Sequence, residues 1–140
     1  MSDTTSSPGA RMAKPALDVG LVTANAQPLI DFYAGVAGFE ILDPLELPNI
    51  GTIHKLGCGE SILRIMVPVN APAKDPSASF SATSGIRYLT LEVDDIEGAA
   101  AAVERLGGTV ALPPFELRPG RRVAQVADPE GNMIELGQDG

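Results

Sequence analysis

Some segments of the chain have the apolar pattern of a β-strand, and others have the three-and-four spacing of an α-helix. Residues 17–23 form an apolar, β-branched run that predicts a strand. Apolar residues then recur at three-and-four spacing from Leu29 to Val36, which predicts a helix that starts near Pro28 and stops at Gly38. Three short apolar runs follow, FEIL, TIHKL and SILRIMV, separated by Asp-Pro, Pro-Asn and Gly-Cys-Gly turn signals. The first half therefore reads strand, helix and three strands.

The second half repeats this order. YLTLEV predicts a strand, Asp95 is a suitable N-cap, and one apolar helical face runs from Ile96 to Leu106. TVAL, RRVAQVA and NMIEL predict three closing strands. At an offset of 70 residues the first strands and helices align without a gap, which indicates a duplication. The matched pairs include Leu21 with Leu91, Asn25 with Asp95, and Gly38 with Gly108.

The pattern divides the chain into four parts. We expect a disordered tail over residues 1–16, a first βαβββ module over 17–67 and a second over 87–138. Residues 68–86 are polar and rich in Pro and Ser, and they are too many for a routine connection. They form a linker or a lid, and their one aromatic residue, Phe80, either pins this segment to the body or closes over a ligand.

Composition excludes several functions. The chain of 140 residues has 10 Lys and Arg against 18 Asp and Glu, a net charge of −8, so nucleic acid and anionic membranes are not expected partners. His54 and Cys58 are the only residues of their kinds, so one chain can form neither a disulfide nor a site built on several Cys or His ligands. No apolar run has the length of a signal peptide or a membrane span, which predicts a cytoplasmic protein.

Three segments resemble the vicinal oxygen chelate superfamily, which includes glyoxalases, bleomycin-resistance proteins and extradiol dioxygenases. They are DVGLVT with DFYAGVAGFEIL, then GIRYLTLEVDDIEGAAAAVERLGG, and finally VADPEGNMIELG. The Asp-Pro-x-Gly-Asn turn before an apolar strand with one Glu is the most specific of these features. The resemblance implies an α+β fold in which two βαβββ modules form an open sheet around a cavity, with the helices outside.

The resemblance also implies four site positions, taken from the first and last strand of each module. They fall on Asp18, Arg64, Tyr88 and Glu135, if one residue is inserted in the second module. Arg64 brings a fixed positive charge and no lone pair to a place where related proteins hold a metal. We therefore expect no metal and no other cofactor, with Arg64 balancing Asp18 and Glu135. Alternatively, Arg64 is structural and Tyr88 is an ordinary wall residue.

Other residues are weaker candidates. His54 lines the cavity only if its side of the predicted third strand is the concave one, and it would then suit acid–base work. The arginines of FELRPGRR, Arg118, Arg121 and Arg122, could clamp a carboxylate or phosphate of a ligand, although charges beside a Pro-Gly turn are usually solvated. Of this segment, Arg122 and Phe115 are the predicted ligand contacts.

Three functions remain open at this stage. The first is a metal-independent isomerase or lyase acting on a small molecule, with Glu135 or Asp18 as base and Tyr88 or His54 as proton donor. The second is a small-molecule or antibiotic-binding protein, for which the acidic chain would suit a cationic ligand. The third is a metal-dependent glyoxalase or epimerase with unusual ligands. In each case we expect a homodimer, because cavities of this family are usually completed by pairing.

Overall fold

Two sheets of four strands, each with one helix, make up the chain in a computed structural model that describes residues 8–74 and 80–140. The predicted order of strand, helix and three strands is confirmed in both halves. The first module contains β1 (Val19–Val22), α1 (Gln27–Ala37), β2 (Glu40–Leu47), β3 (Gly51–Cys58) and β4 (Ser61–Pro68). The second contains β5 (Tyr88–Glu92), α2 (Ile96–Arg105), β6 (Thr109–Arg118), β7 (Arg121–Ala127) and β8 (Met133–Asp139).

The helix ends follow local chemistry. Pro28 lies in the first turn of α1, where a missing N–H costs nothing, and Gly38 ends the helix with a left-handed φ of 72°. At α2 the Asp95 side chain caps the helix by accepting a hydrogen bond from the Gly98 N–H at 3.0 Å.

Each sheet has a helix-facing side and an opposite side, called here the open face. The strand orders are β1-β4-β3-β2 and β5-β8-β7-β6. On β4, Leu63 and Ile65 are buried towards the helices, so Arg64 between them lies on the open face. On β8, Ile134 and Leu136 are buried in the same way and Glu135 lies on the open face. The two sheets therefore turn equivalent sides to the helices.

The two proline-containing edge strands are longer than the sequence predicts. Asp43-Pro44 does not end β2, and Pro113-Pro114 does not end β6; each pair lies where the strand pairing shifts register. Both strands are sheet edges, where the missing proline N–H removes no bond from a central ladder. The turn expected at Asp43-Pro44 is thus an irregularity within a continuous strand, as is Pro113-Pro114.

One core joins the two modules. It contains residues of both helices and of strands from both sheets, and α1 packs against α2. Buried Tyr33 of the first module donates its hydroxyl to Asp128 of the second at 2.7 Å. Thr23, also buried, donates to Glu130 at 2.6 Å. The Asp-Pro-Glu-Gly-Asn turn therefore adds polar contacts between the modules to those of the shared core.

The predicted tail and linker are partly described. Residues 8–18 contain no helix or strand, and residues 1–7 of the predicted tail and 75–79 of the predicted linker or lid lie outside the described residues. Within the described ranges, no helix has the length and apolar character needed to cross a membrane.

Candidate functional site

A cleft of about 1010 Å³ lies between the inner edge strands of the two modules, β1 and β5. Its wall is mainly apolar, with Val22, Leu89 and Met133 among its members. Four charged residues also line it. They are Asp18, Lys74, Arg87 and Glu130. A cleft of this size with an apolar wall and a few polar groups is the usual form of a small-molecule site.

An aromatic pair stands at this cleft. The Phe80 ring is stacked on the Tyr88 ring, with centroids 4.0 Å apart and planes within 9° of parallel. Tyr88 lines the cleft and is 45% exposed, so part of its ring remains available for contact. Phe80 thus contacts the body of the protein at the cleft wall.

Asp18 forms an ion-paired cluster at one end of β1. Its Oδ2 accepts from Arg64 Nη1 at 2.7 Å, and its Oδ1 accepts from Lys14 Nζ at 2.7 Å and from the Ile62 N–H at 2.9 Å. The Arg64 hydrogen bond, followed by the Lys14 and Ile62 hydrogen bonds, holds the pKa of the Asp18 carboxyl well below its usual range. A carboxylate held so firmly in its ionised form is a weak base.

Glu135 forms a second cluster on the other open face. Its Oε1 accepts a hydrogen bond from the Thr90 hydroxyl at 3.2 Å and lies 4.0 Å from Arg121 Nη2. Arg121 also donates to Glu92 Oε2 at 2.8 Å and to Asp139 at 3.1 Å, and its side chain is only 12% exposed. The Arg121 hydrogen bond lowers the pKa of Glu92.

The four positions implied by the resemblance are therefore divided between two clusters. Arg64 pairs in register with Gly20, and Glu135 pairs with Thr90, the residue 70 positions after Gly20. Arg64 and Glu135 thus occupy equivalent places in the two modules. The one-residue insertion in the second module, which strand alternation had required, agrees with this register. Arg64 pairs with Asp18 and Arg121 approaches Glu135, so the expectation that Arg64 balances both carboxylates is corrected.

The weaker candidates lie in different places. His54 pairs with Ile65 and shares a side with Leu56, both fully buried, so it lies on the helix-facing side and not on the open face its catalytic role required. Arg122 also lies on that side, forms an ion pair with Glu97 of α2 and is not among the residues that line the cleft. Phe115 lies on the open face of β6 and is 39% exposed.

Arg87 was not singled out from the sequence, and Arg121 was considered only as one of the three arginines of FELRPGRR. Arg121 stands beside Arg122 in RRVAQVA, and only strand register decides which of the two shares a face with Glu135. The available signal was Gly137 of β8: it pairs with Val123, which lies two residues after Arg121 on the same open face. A Cβ at Gly137 would lie 2.3 Å from Arg121 Nη2, so the glycine leaves room for the guanidinium.

The donor set does not fit a metal at the place where related proteins hold one. Of its four members, Arg64 cannot donate a lone pair and lies in an ion pair with the Asp18 oxygen a metal would need. Among residues 8–74 and 80–140, no group of three or more His, Cys, Asp and Glu side chains is arranged to hold a metal ion.

Two βαβββ modules, each a four-stranded sheet with one helix, define the glyoxalase-like class of fold. The family model described as Glyoxalase/Bleomycin resistance protein/Dioxygenase superfamily matches residues 17–136. The chain belongs to this superfamily, and the resemblance drawn from its motifs is confirmed. No curated protein matches the chain.

Solved structures share the fold at low sequence identity. A glyoxalase family protein from Bacillus cereus has a TM-score of 0.83 at 13% identity, over 96% of this chain and 99% of that one. Glyoxalase I from Zea mays has a TM-score of 0.72 at 20% identity, over 86% of this chain; this chain spans 43% of the maize protein. A glyoxalase/bleomycin resistance protein/dioxygenase family enzyme from Burkholderia phytofirmans has a TM-score of 0.63 at 24% identity, over 87% and 96%. These likenesses establish the fold.

Proposed function

We propose that this protein binds a small organic molecule with an apolar, planar part in the cleft between β1 and β5. The observation that carries this proposal is the cleft itself, in which a half-exposed Tyr88 ring stands among apolar side chains. Burial of a planar group against such a wall removes apolar surface from water and adds an aromatic contact.

Gly20 offers a direct test of the cleft. It lines the cleft, and a Cβ added to it would meet no atom within 4 Å, so a larger side chain would enter the cleft without disturbing the core. Gly20→Leu should weaken binding of the fluorescent probe N-phenylnaphthylamine by at least about tenfold. Gly9→Leu is the matched control, because Gly9 also has open space around it and lies outside the cleft lining. Equal affinity of both variants would contradict the proposal.

A second candidate function is metal-independent acid–base catalysis, with Glu135 as the base and Tyr88 as the proton donor. Tyr88 and Thr90 lie on one face of β5, and their partners Met133 and Glu135 lie on the same face of β8. Because alternate strand residues are roughly 7 Å apart, Glu135 lies one step from the cleft wall at Met133. Both contacts to its carboxylate involve Oε1, so Oε2 is the oxygen we assign to proton transfer.

The ring opening of nitrobenzisoxazole distinguishes a protein that only binds its ligand from one that catalyses proton transfer. Removal of its ring C–H proton by a base breaks the N–O bond and gives a coloured nitrile phenolate. The parent protein should accelerate this reaction with saturation, and Glu135→Gln should reduce the rate by about 100-fold, the low end of what a positioned base contributes. Gln125→Glu is the control, because it adds a carboxylate on the paired position of β7. No acceleration by the parent would leave binding as the function.

A homodimer is part of the same proposal. The open faces carry exposed apolar side chains that pairing would cover, among them Leu45 on β2 and Leu112 and Phe115 on β6. Sedimentation at micromolar concentration should give twice the chain mass of 14.5 kDa. A species at the mass of one chain would count against it. The cytoplasmic location remains a prediction from the sequence.

A further inference from the structure

We infer that the ligand of this cleft is an organic anion, with a carboxylate or phosphate group held by Arg87; this inference rests on the proposed binding function. The overall charge of −8 had favoured a cationic ligand. The lining of the cleft, however, does not share this excess of acid, because Asp18 and Glu130 are matched there by Lys74 and Arg87.

The carboxylates at the cleft are already engaged. Asp18 is paired with both Arg64 and Lys14, and the Glu130 carboxylate accepts the Thr23 hydroxyl at 2.6 Å. The remaining charged residues of the lining, Lys74 and Arg87, form no ion pair with any described residue. The lining thus holds two cations, Lys74 and Arg87, and one carboxylate, Glu130, that form no ion pair with a described residue. A ligand anion would therefore find a cation without an ion-pair partner in the cleft of an otherwise acidic protein.

Arg87 is held in place for such a contact. Its Nη1 donates to the Thr83 hydroxyl at 2.8 Å, and its Nε is buried without a partner among the described residues. Gly85, with a φ of 118° that disfavours other residues, brings its backbone close enough that a Cβ would lie 3.3 Å from Arg87 Nη2. A guanidinium has five donors, and one contact leaves most of them for a ligand.

Geometry also places the anion beside an apolar surface. Arg87 directly precedes Tyr88, and these two residues line the cleft together with Ile86 and Leu89. The Tyr88 ring is stacked on Phe80. A molecule with its planar part against Tyr88 has its charged end next to Arg87. The expected ligand is accordingly an aromatic or otherwise apolar acid, and Arg87 is its specificity-determining residue.

Two dyes with the same ring system test this inference. Anilinonaphthalenesulfonate carries an anion, and N-phenylnaphthylamine has the same skeleton without it. The parent should bind the anionic dye at least about tenfold more tightly, and Arg87→Met should remove most of that difference while it leaves the neutral dye unchanged. Arg105→Met, at the exposed end of α2, is the matched control and should change neither affinity. Displacement by naphthoate or by naphthyl phosphate then identifies which acid is preferred.

The outcomes separate the two proposals. If neither dye binds, the proposed binding function fails. If both bind equally, or if Arg87→Met and Arg105→Met lower the affinity for the anionic dye equally, the cleft stands and the anion inference is overturned. Displacement by naphthylmethylamine but by neither acid would also overturn it.

Discussion

Asp18 is the residue whose ionisation contributes most clearly to the fold. Because Arg64, Lys14 and the Ile62 N–H hold its folded-state pKa below the ordinary value of 3.8, the stabilisation is fully present above about pH 4. It is lost as the pH falls below that value towards the folded-state pKa. The lowered pKa of Glu92 adds to the same trend.

The test is thermal unfolding as a function of pH. The Tm of the parent should fall steadily as the pH decreases below about 4, and Asp18→Asn should fall less steeply because it lacks the titrating group. Asp31→Asn is the control, since the Asp31 side chain accepts only from Gln27 on the exposed side of α1. Parallel curves for the parent and Asp18→Asn would contradict the assigned role of Asp18.

Sequence patterns predicted these residues unevenly. The one-residue insertion that aligned Arg64 with Glu135 came from strand alternation, and the register agrees with it. The alternation of β3 separated His54 from Lys55, but it did not say which side faced the helices. For Arg121 and Arg122 the same ambiguity left open which of the two shares a face with Glu135. A side of a strand is fixed by tertiary packing, which a lone strand pattern does not contain.

At the scale of elements, Gly137 of β8 leaves room for the Arg121 side chain of β7 in the cluster around Glu135. Gly137→Ala would put a Cβ within 2.3 Å of Arg121 Nη2, and the flexible guanidinium would move rather than the strand. Arg121 would then leave Glu92, whose pKa should rise towards its ordinary value. Carboxyl NMR titration of Glu92 measures this, with Gly9→Ala as control. An unchanged Glu92 titration would mean that Arg121 does not control it.

The element pattern was easier to predict than the element lengths. Periodicity and caps gave both helices and all eight strands, because each signal is local. The Asp-Pro pair was interpreted as a turn and the strand over TVAL was predicted to be short, yet β2 continues through Asp43-Pro44 and β6 through Pro113-Pro114. An edge strand tolerates proline because one side of it is unpaired, and edge position depends on the sheet order rather than on the local sequence.

At the scale of the whole molecule, the modules are joined through polar contacts as well as the shared core. Tyr33 donates to Asp128, which is 3% exposed and also accepts from the N–H groups of Glu130 and Asn132. Burial and the neighbouring Asp128 charge raise the pKa of Tyr33 above its ordinary value, so this hydroxyl stays a donor. The family turn therefore has a structural task in this chain, next to the cleft that it helps to line.

Tyr33→Phe tests this junction. The change removes one donor from a buried carboxylate and should lower the free energy of unfolding by about 1–3 kcal/mol. Denaturant unfolding measures the loss, and Tyr88→Phe is the matched control because the Tyr88 side chain is half-exposed. A loss no larger than that of the control would show that the hydroxyl contact contributes little to holding the modules together.

The central claim is that the cleft between the two modules holds a small molecule against Tyr88, with its acid group on Arg87. The most direct test is a crystal structure of the protein with anilinonaphthalenesulfonate. We predict that the ring system lies between β1 and β5 in contact with Tyr88, with sulfonate oxygens within hydrogen-bond distance of the Arg87 guanidinium. A dye bound only elsewhere on the surface, with the cleft between β1 and β5 empty, would contradict the account.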